Sequence, residues 1–193
     1  KEEEKMNIAV YCGSKPGREE KYREAAEKIG TYIGSHGHTL IYGAGALGTM
    51  GSVADSVQRS AGDRNNSIIG VIPQFMVDRG WQKRDLTQII VTDSMSSRKA
   101  KMLELADIYI AMPGGPGTLE EITEAFSLAT LDQHAKKCIL CSLDGYYRPL
   151  QNMYQTMVKE GFMLPEMLEH LYIAESVEDV LEQMEEVALR GRS

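Results

Sequence analysis

The sequence has few cysteines and no long apolar run. Cys12, Cys138 and Cys141 are too few and too unevenly spaced for a disulfide framework. No apolar segment approaches the ~20 residues that span a bilayer, so we expect no membrane partner. The charged start, residues 1–5, lacks the apolar centre of a signal peptide. We therefore expect residues 1–6 to form a flexible, solvated arm and the protein to be cytoplasmic.

An excess of positive charge is also missing, since the net charge is -7. Nucleic acids and anionic membranes are bound by broad basic faces, so neither is predicted as a partner. A small phosphate ligand is still compatible with this charge, because backbone amides at a helix N-terminus can bind one inside an acidic protein.

The sequence contains only weak indications of metal-binding residues. Cys138 and Cys141 have CxxC spacing, but the segment is typical of a buried strand, in which residues three apart point to opposite faces. His36 and His38 have no carboxylate or cysteine cluster nearby in sequence. We expect a loop position and a strand-edge position for the two histidines, and no metal site.

Apolar runs of strand length alternate with helical segments along the chain. This alternation predicts an α/β fold, a single Rossmann-like domain over residues 1–193 with a doubly wound parallel sheet. Ligands bind such sheets outside the carboxyl ends of the strands. The strands are expected at 8–12, 39–42, 68–72, 89–91, 108–112, 137–143 and, as an edge strand, 171–173. The helices are expected at about 18–33, 50–61, from 95, from 118 and near the C-terminus.

The first glycine-rich candidate is the segment 43–51. Gly43, Gly45 and Gly48 match GxGxxG, the dinucleotide fingerprint, but a lone match is weak. The motif follows the second strand instead of the first, and the next strand ends at Ile72-Pro73 without the acidic residue that holds a ribose. Binding of NAD is therefore an alternative, and a tight turn without a ligand is another.

The second candidate is the segment Pro113-Gly-Gly-Pro-Gly-Thr118, which lies between a strand and a helix. Free N–H groups and the helix dipole make such a helix start an anion site. Thr118 and Glu121 also have capping-box spacing, which would explain both residues without a ligand. A cap does not require Gly114, Gly115 and Gly117, so these glycines favour a ligand, plausibly a phosphate.

A basic segment opens the preceding helix. Arg98 is expected in its first turn, where the helix dipole disfavours a cation. This unfavourable placement indicates a use, such as binding a phosphate or the edge of a purine. For Lys101 we expect a solvated helix face.

Two motifs together resemble the Lonely Guy family, the cytokinin riboside 5′-monophosphate phosphoribohydrolases. They are Met95-x-x-Arg98-Lys99-x-x-Met102 and Pro113-Gly-Gly-x-Gly-Thr-x-x-Glu121. The resemblance continues through 12–14, 43–51, 70–73 and 144–147, and covers roughly residues 8–187. It implies a Rossmann-like fold and an assembly that is usually a homodimer and in some members a hexamer. We expect no cofactor. Departures occur at Ser96, where many members carry histidine, and at Ala44, where a third glycine is common; they bear on specificity.

The resemblance also implies the site residues. Arg98 and Glu121 are the expected catalytic pair. The expected contacts to the substrate and its phosphate are Ser14, Gly45, Met95, Lys99, Gly114, Gly115, Gly117 and Thr118. Some family members have been labelled lysine decarboxylases, but no lysine of this sequence stands in a recognisable pyridoxal phosphate setting.

The implied reaction is hydrolysis of the N-glycosidic bond of a purine nucleoside 5′-monophosphate, adenosine or its N6-substituted forms, to free base and ribose 5-phosphate. Such an activity belongs to cytokinin biosynthesis or purine salvage. A non-catalytic nucleotide carrier or sensor on the same fold is the main alternative, and a nicotinamide-dependent oxidoreductase is the third.

Overall fold

Strands and helices alternate along the whole of the computed structural model, which describes residues 4–62 and 68–190. The strands are β1 (Asn7–Tyr11), β2 (Thr39–Tyr42), β3 (Ile68–Pro73), β4 (Gln88–Thr92), β5 (Ile108–Ala111), β6 (Cys138–Cys141) and β7 (Leu171–Ala174). The helices are α1 (Glu20–Ser35), α2 (Gly48–Ala61), α3 (Gln74–Asp78), α4 (Met95–Leu105), α5 (Pro116–Thr130), α6 (Arg148–Lys159) and α7 (Val177–Arg190). Two 3₁₀ turns, Leu143–Gly145 and Pro165–His170, precede α6 and β7.

The strands form one parallel sheet in the order β4-β3-β2-β1-β5-β6-β7. Strand β1 lies at the centre, with Ile8 paired to Leu40 on one side and to Ile108 on the other. The order reverses between β1 and β5, which is the topological switch point of a doubly wound sheet. The predicted fold class is confirmed, and β7 is an edge strand as expected.

Alternate residues of each strand contribute to two cores, one on each face of the sheet. Ile8 and Val10 pack towards α1, α2 and α7, whereas Ala9 and Tyr11 pack towards α4, α5 and α6. Strand residues alternate between faces, so a strand buried on both sides is apolar throughout. Cys138 and Cys141 belong to different cores, which confirms the expectation that they point to opposite faces.

Element ends differ from the predicted ones by a few residues. Helix α1 begins at Glu20 instead of Arg18, and α2 begins at Gly48 instead of Met50. Helix α5 also begins two residues from its predicted start, at Pro116 and not at Thr118. Proline is favoured at the first position of a helix because its missing N–H has no intrahelical partner there.

Of the solvated arm predicted over residues 1–6, Glu4 and Lys5 are exposed as expected, whereas Met6 is not. Met6 is buried, and the backbone N–H of Glu4 donates to the carbonyl of Ala188 in α7. The apolar Met6 side chain joins the core beneath β1. Residues 1–3 of the predicted arm lie outside the described part of the chain.

No helix in residues 4–62 and 68–190 is long and apolar enough to span a bilayer. The same residues contain no group of three or more His, Cys, Asp or Glu side chains placed to hold a metal ion.

Candidate active site

The loops that follow β1 and β5 meet at the switch point of the sheet. A β-carbon added to Gly13 would lie 3.7 Å from the Cα of Gly114, so the two backbones are in close contact. The loop after β1 is held in turn by the start of α2, because Thr49 Oγ1 accepts a hydrogen bond of 2.9 Å from the N–H of Gly13. These loops lie beside the switch point, at the crevice outside the carboxyl ends of the strands where the general rule for such folds places a ligand.

The start of α5 lies in this crevice. Gly115 is the N-cap residue, and the first helical hydrogen bond runs from the N–H of Leu119 to the carbonyl of Gly115. The N–H groups of Gly115, Gly117 and Thr118 precede that bond and are the ones a helix leaves unpaired at its N-terminus. We call residues 113–118 the anion loop, since these amides and the helix dipole favour a negative charge.

The structure gives different reasons for the presence of each glycine in the anion loop. A β-carbon on Gly114 would overlap the side chain of Thr118, so this glycine is required by internal packing. A β-carbon on Gly115 or Gly117 would meet no atom of the described residues within 4 Å. Internal packing therefore gives no reason for these two glycines, whose open faces leave room for a ligand to approach the backbone.

The capping-box alternative for Thr118 and Glu121 is wrong. The N-cap residue is Gly115, which has no side chain to cap the helix, and Thr118 is the third residue of α5. A capping box requires Thr118 to be the N-cap and Glu121 to bond back to its amide. The structure instead directs the carboxylate of Glu121 to Arg98.

Arg98 and Glu121 form a buried ion pair between α4 and α5. Nη2 of Arg98 lies 3.0 Å from Oε1 of Glu121, and the two residues are only 7% and 8% exposed. Nε of Arg98 is buried and has no hydrogen-bond partner among the described residues. This donor is therefore available to an acceptor on a ligand, since a buried N–H normally finds a partner.

Burial changes the proton affinity of Glu121. Desolvation raises the pKa of its carboxyl group to about 7, and the guanidinium of Arg98 opposes this rise. Burial disfavours the charged form of a carboxylic acid, and an adjacent cation favours it. A carboxyl group with a pKa near neutrality can exchange a proton at physiological pH, as a general acid or base must.

The glycine loop after β2 makes room for Arg98. A β-carbon on Gly43 would overlap Nη2 of Arg98 and would lie 3.0 Å from Cζ. The other two glycines of the motif also contact the protein itself: Gly45 faces Met50, and Gly48, with φ +65°, packs against the backbone of Ser14 and Lys15. Because the protein fills the space that these glycines leave, the dinucleotide interpretation has no support from this loop.

Of the remaining predicted contacts, Met95 lies against the ion pair. Met95 is the first residue of α4, and its Sδ lies 3.7 Å from Nη1 of Arg98. Ser14 is exposed in the loop after β1. The carbonyl of Gly45 accepts a hydrogen bond from Tyr42 Oη. These positions border the crevice, but contacts of Ser14, Gly45 and Met95 with a substrate stay predictions.

Lys99 is engaged by α5. Its Nζ lies 2.7 Å from Glu120 Oε1 and 2.7 Å from Glu124 Oε2, and these carboxylates raise the pKa of Lys99. Three neighbouring ion pairs, Arg98–Glu121, Lys99–Glu120 and Lys99–Glu124, therefore join α4 to α5. A contact of Lys99 with phosphate stays a prediction.

Arg98 itself is less exposed to the helix dipole than the sequence indicated. Helix α4 begins at Met95, and its N-cap Ser94 forms a reciprocal capping box with Ser97. The N–H of Arg98 already donates to the carbonyl of Ser94. The carboxylate of Glu121, 3.0 Å from Nη2 of Arg98, compensates for the placement of this cation near the start of the helix.

Sequence reasoning missed two tyrosines that hold the anion loop. Tyr146 Oη donates a 2.6 Å hydrogen bond to the carbonyl of Gly114, and Tyr147 Oη donates one of 2.7 Å to the carbonyl of Met112. Both follow β6 and are more than thirty residues away from the loop in sequence. In the sequence, the two tyrosines are marked only as part of the 144–147 segment of the family resemblance, which assigns them no role.

Comparison with known proteins identifies the relatives of this chain. The family model described as "Possible lysine decarboxylase" matches residues 50–184. The cytokinin riboside 5′-monophosphate phosphoribohydrolase of Arabidopsis thaliana is 35% identical over 181 residues, which cover 94% of this chain and 82% of the relative. That of Rhodococcoides fascians is 35% identical over 176 residues, covering 91% and 87%.

Solved structures share the fold at lower identity. The molybdenum cofactor carrier protein of Chlamydomonas reinhardtii superposes with a TM-score of 0.68 at 22% identity, covering 97% of this chain and 99% of that one. The molybdenum cofactor binding protein of Rippkaea orientalis gives a TM-score of 0.68 at 22% identity, covering 94% and 96%. At this identity the similarity shows a common fold and gives no information about function.

Proposed function

This chain belongs to the Lonely Guy family, and on that premise we propose that it is a hydrolase that cleaves the N-glycosidic bond of adenosine 5′-monophosphate or an N6-substituted form of it. The products are the free base and ribose 5-phosphate. The observation that carries the proposal is the buried Arg98–Glu121 pair beside the open anion loop. The relatives from Arabidopsis thaliana and Rhodococcoides fascians, both named as cytokinin riboside 5′-monophosphate phosphoribohydrolases, support the same reaction.

The geometry of α5 can serve both ends of the substrate. Glu121 lies five residues after Pro116, about 7.5 Å along the helix axis at 1.5 Å per residue. A phosphate bound by the amides of Gly115, Gly117 and Thr118 would therefore leave the sugar beside the carboxylate. Binding energy from the phosphate, which is remote from the bond that breaks, can then position the reacting atoms.

In the reaction, water attacks C1′ of the ribose, the bond between C1′ and the base nitrogen breaks, and its electron pair leaves with the base, which takes up a proton. Positive charge develops on the ribose, as in other glycoside cleavages. Glu121 in its carboxylate form accepts the proton of the attacking water and stabilises this charge. Arg98 orients Glu121 and offers its free Nε–H to the nucleotide.

The proposal includes a place for the substituent on the base. Met95 and Trp81 are candidates for an apolar wall that would accept an N6 substituent. Trp81 is 52% exposed, and the guanidinium of Arg79 lies 5.0 Å from its ring centroid. An exposed indole with an adjacent cation is able to contact a planar ligand.

A homodimer is part of the proposal. The edge strand β4 carries Ile89 and Val91, two exposed apolar residues with the spacing that puts both on one face. Edge strands with exposed apolar residues are prone to association. Sedimentation equilibrium should give the mass of two chains, and Val91→Lys should shift the population to monomers.

The decisive experiment incubates the purified protein with AMP and with N6-isopentenyl-AMP and measures free base by chromatography. We expect base release by the wild type and a loss of about 10²- to 10⁴-fold in Glu121→Gln, the range for removal of a general base. The ratio of the two rates gives the substrate preference. Binding of both nucleotides without release of base would support the carrier or sensor alternative and reject the hydrolase.

A further inference from the structure

The connection from β6 to α6 binds the loop that leads from β5 into α5. The hydroxyl of Tyr146 donates to the carbonyl of Gly114, 2.6 Å away, and the hydroxyl of Tyr147 donates to the carbonyl of Met112, 2.7 Å away. These carbonyls flank Pro113. The two tyrosines therefore hold the first part of the anion loop on both sides of its proline.

This contact fixes the direction of an amide. A trans peptide unit is planar, so the carbonyl of Gly114 and the N–H of Gly115 point in opposite directions. With the carbonyl bound to Tyr146, the N–H of Gly115 must face away from that tyrosine. Gly115 is the N-cap of α5, and its N–H is one of the three that precede the first helical hydrogen bond.

The anion loop needs such a restraint because of its composition. Glycine populates many backbone conformations, and a mobile loop loses binding free energy when a ligand orders it. Thr118 packs against Gly114 from the helix side. Tyr146 and Tyr147 supply the opposing contacts from the β6–α6 connection.

The tyrosines are themselves held in place. Tyr147 is 5% exposed, and its backbone N–H donates to Ser142 Oγ over 2.9 Å. Its ring packs edge to face with that of Tyr146 at a centroid distance of 5.1 Å, and Tyr146 packs in the same way against Tyr22 of α1 at 6.3 Å. A site held by side chains that are fixed in this way is organised before its ligand arrives.

We propose that Tyr146 and Tyr147 are positioning residues that orient the amides of the anion loop for the phosphate group of the substrate. The proposal rests on the proposed function, because it assigns the loop to a nucleotide phosphate. It predicts that the hydroxyl groups contribute to recognition of the phosphate and not of the nucleoside. Removing one neutral hydrogen bond should weaken phosphate binding by about 2- to 10-fold.

The test measures dissociation constants by calorimetry for AMP, inorganic phosphate and adenosine, which lacks the phosphate, with Glu121→Gln in every protein so that AMP is bound and not cleaved. In this background Tyr146→Phe and Tyr147→Phe are compared with the protein that has both tyrosines and with Tyr172→Phe. Tyr172 is a matched control, because its hydroxyl also makes one hydrogen bond, to Asp179 Oδ1 at 2.8 Å, away from the anion loop. Melting temperatures are recorded for all variants.

We expect the dissociation constants of AMP and phosphate to rise about 2- to 10-fold in each variant, with that of adenosine unchanged and Tyr172→Phe like the protein that has both tyrosines. A merely structural role would lower the melting temperature and leave these constants unaltered, which would overturn the proposal. An equal loss for adenosine would also overturn it. If Tyr147→Phe fails to fold, the test rests on Tyr146→Phe, since Tyr146 is 43% exposed.

The outcome is distinguishable from a failure of the proposed function. A wild type that binds AMP but releases no base would reject the hydrolase, while the binding constants still test the two tyrosines. A wild type that binds neither AMP nor phosphate would overturn the assignment of the loop to phosphate, and the positioning role with it.

Discussion

The guanidinium of Arg98 occupies the space beside Gly43 that a β-carbon would fill. Nη2 would overlap such an atom, and Cζ would lie 3.0 Å from it. Arg98 thus reaches Glu121 across the end of β2 because residue 43 has no side chain. The same absence leaves Met50 Cε only 2.8 Å from the position of the missing atom, so the neighbourhood is closely packed.

Replacing Gly43 should therefore disable the ion pair. Gly43→Ala is expected to displace Arg98 and to lower kcat/KM for AMP by about 100-fold, the size of effect that a misplacement of about 1 Å can produce. Overpacking should also cost about 1–3 kcal/mol of unfolding free energy. The measurement is steady-state kinetics with chemical denaturation of the same samples.

A double-mutant cycle provides the control for this prediction. In an Arg98→Ala background the added methyl group has no guanidinium to displace, so Gly43→Ala should change kcat/KM by less than about 3-fold. Additive effects of the two substitutions would contradict the idea that Gly43 acts through Arg98.

Glu121 should make the protein less stable as the pH rises. Its pKa in the folded protein is about 7, against an ordinary value of 4.5. The folded state therefore binds the proton more tightly than the unfolded state, and the free energy of unfolding falls as the pH rises from about 4.5 to about 7. Glu121→Gln, which stays neutral, should not show this loss.

At pH 8 we expect Glu121→Gln to be more stable than the wild type, because the wild type must then hold a buried carboxylate and the variant does not. At pH 4 the two proteins should be equal. Denaturant titrations at both pH values test this. Glu120→Gln is the control, because Glu120 is exposed and its pair with Lys99 is worth about 0–1 kcal/mol. A variant less stable than the wild type at pH 8 would contradict the prediction.

The pH dependence of the rate follows from the same group. If Glu121 accepts the proton of water, kcat/KM for AMP should rise with pH and level off above about pH 8, one pH unit above the pKa of about 7, because the carboxylate form then predominates. The phosphate of AMP titrates near pH 6, so AMP binding to Glu121→Gln over the same range gives the contribution of the substrate. A rate that falls above pH 7 would assign Glu121 the role of a general acid.

Replacing Gly117 by alanine should increase the stability of the protein and decrease its activity. It is the second residue of α5, and a β-carbon there would meet no atom of the described residues within 4 Å. Gly117→Ala should raise the free energy of unfolding by about 0.5–1 kcal/mol, because alanine has the better helix propensity. It should weaken AMP binding, because the methyl group takes the space of the phosphate.

The matched control is Thr123→Ala on the same helix. It also raises helix propensity, but Thr123 is turned towards its own helix, where Oγ1 donates to the carbonyl of Leu119. We expect no change in AMP binding. Unchanged binding in Gly117→Ala would place the phosphate elsewhere.

The sequence by itself determined the sheet and the identity of the main candidates. Apolar strands alternating with amphipathic helices specify a parallel sheet covered on both faces, because such strands must be buried on both sides. Because ligands bind such sheets outside the carboxyl ends of the strands, the sequence then indicates the loops after β1, β2 and β5 as candidate sites. Arg98 and Glu121 were recognised from two local motifs, and both lie at the predicted edge of the sheet.

The tertiary structure decided what these residues contact. The spacing of Thr118 and Glu121 fits a capping box as well as a catalytic helix, and only the start of α5 at Pro116 excludes the box. Residue 43 must be a glycine because of Arg98, which lies on α4. The carbonyl of Gly114 is restrained by Tyr146, 32 residues later. Periodicity and turn chemistry record the local environment of a residue, whereas contacts between distant segments arise only when the helices pack on the sheet.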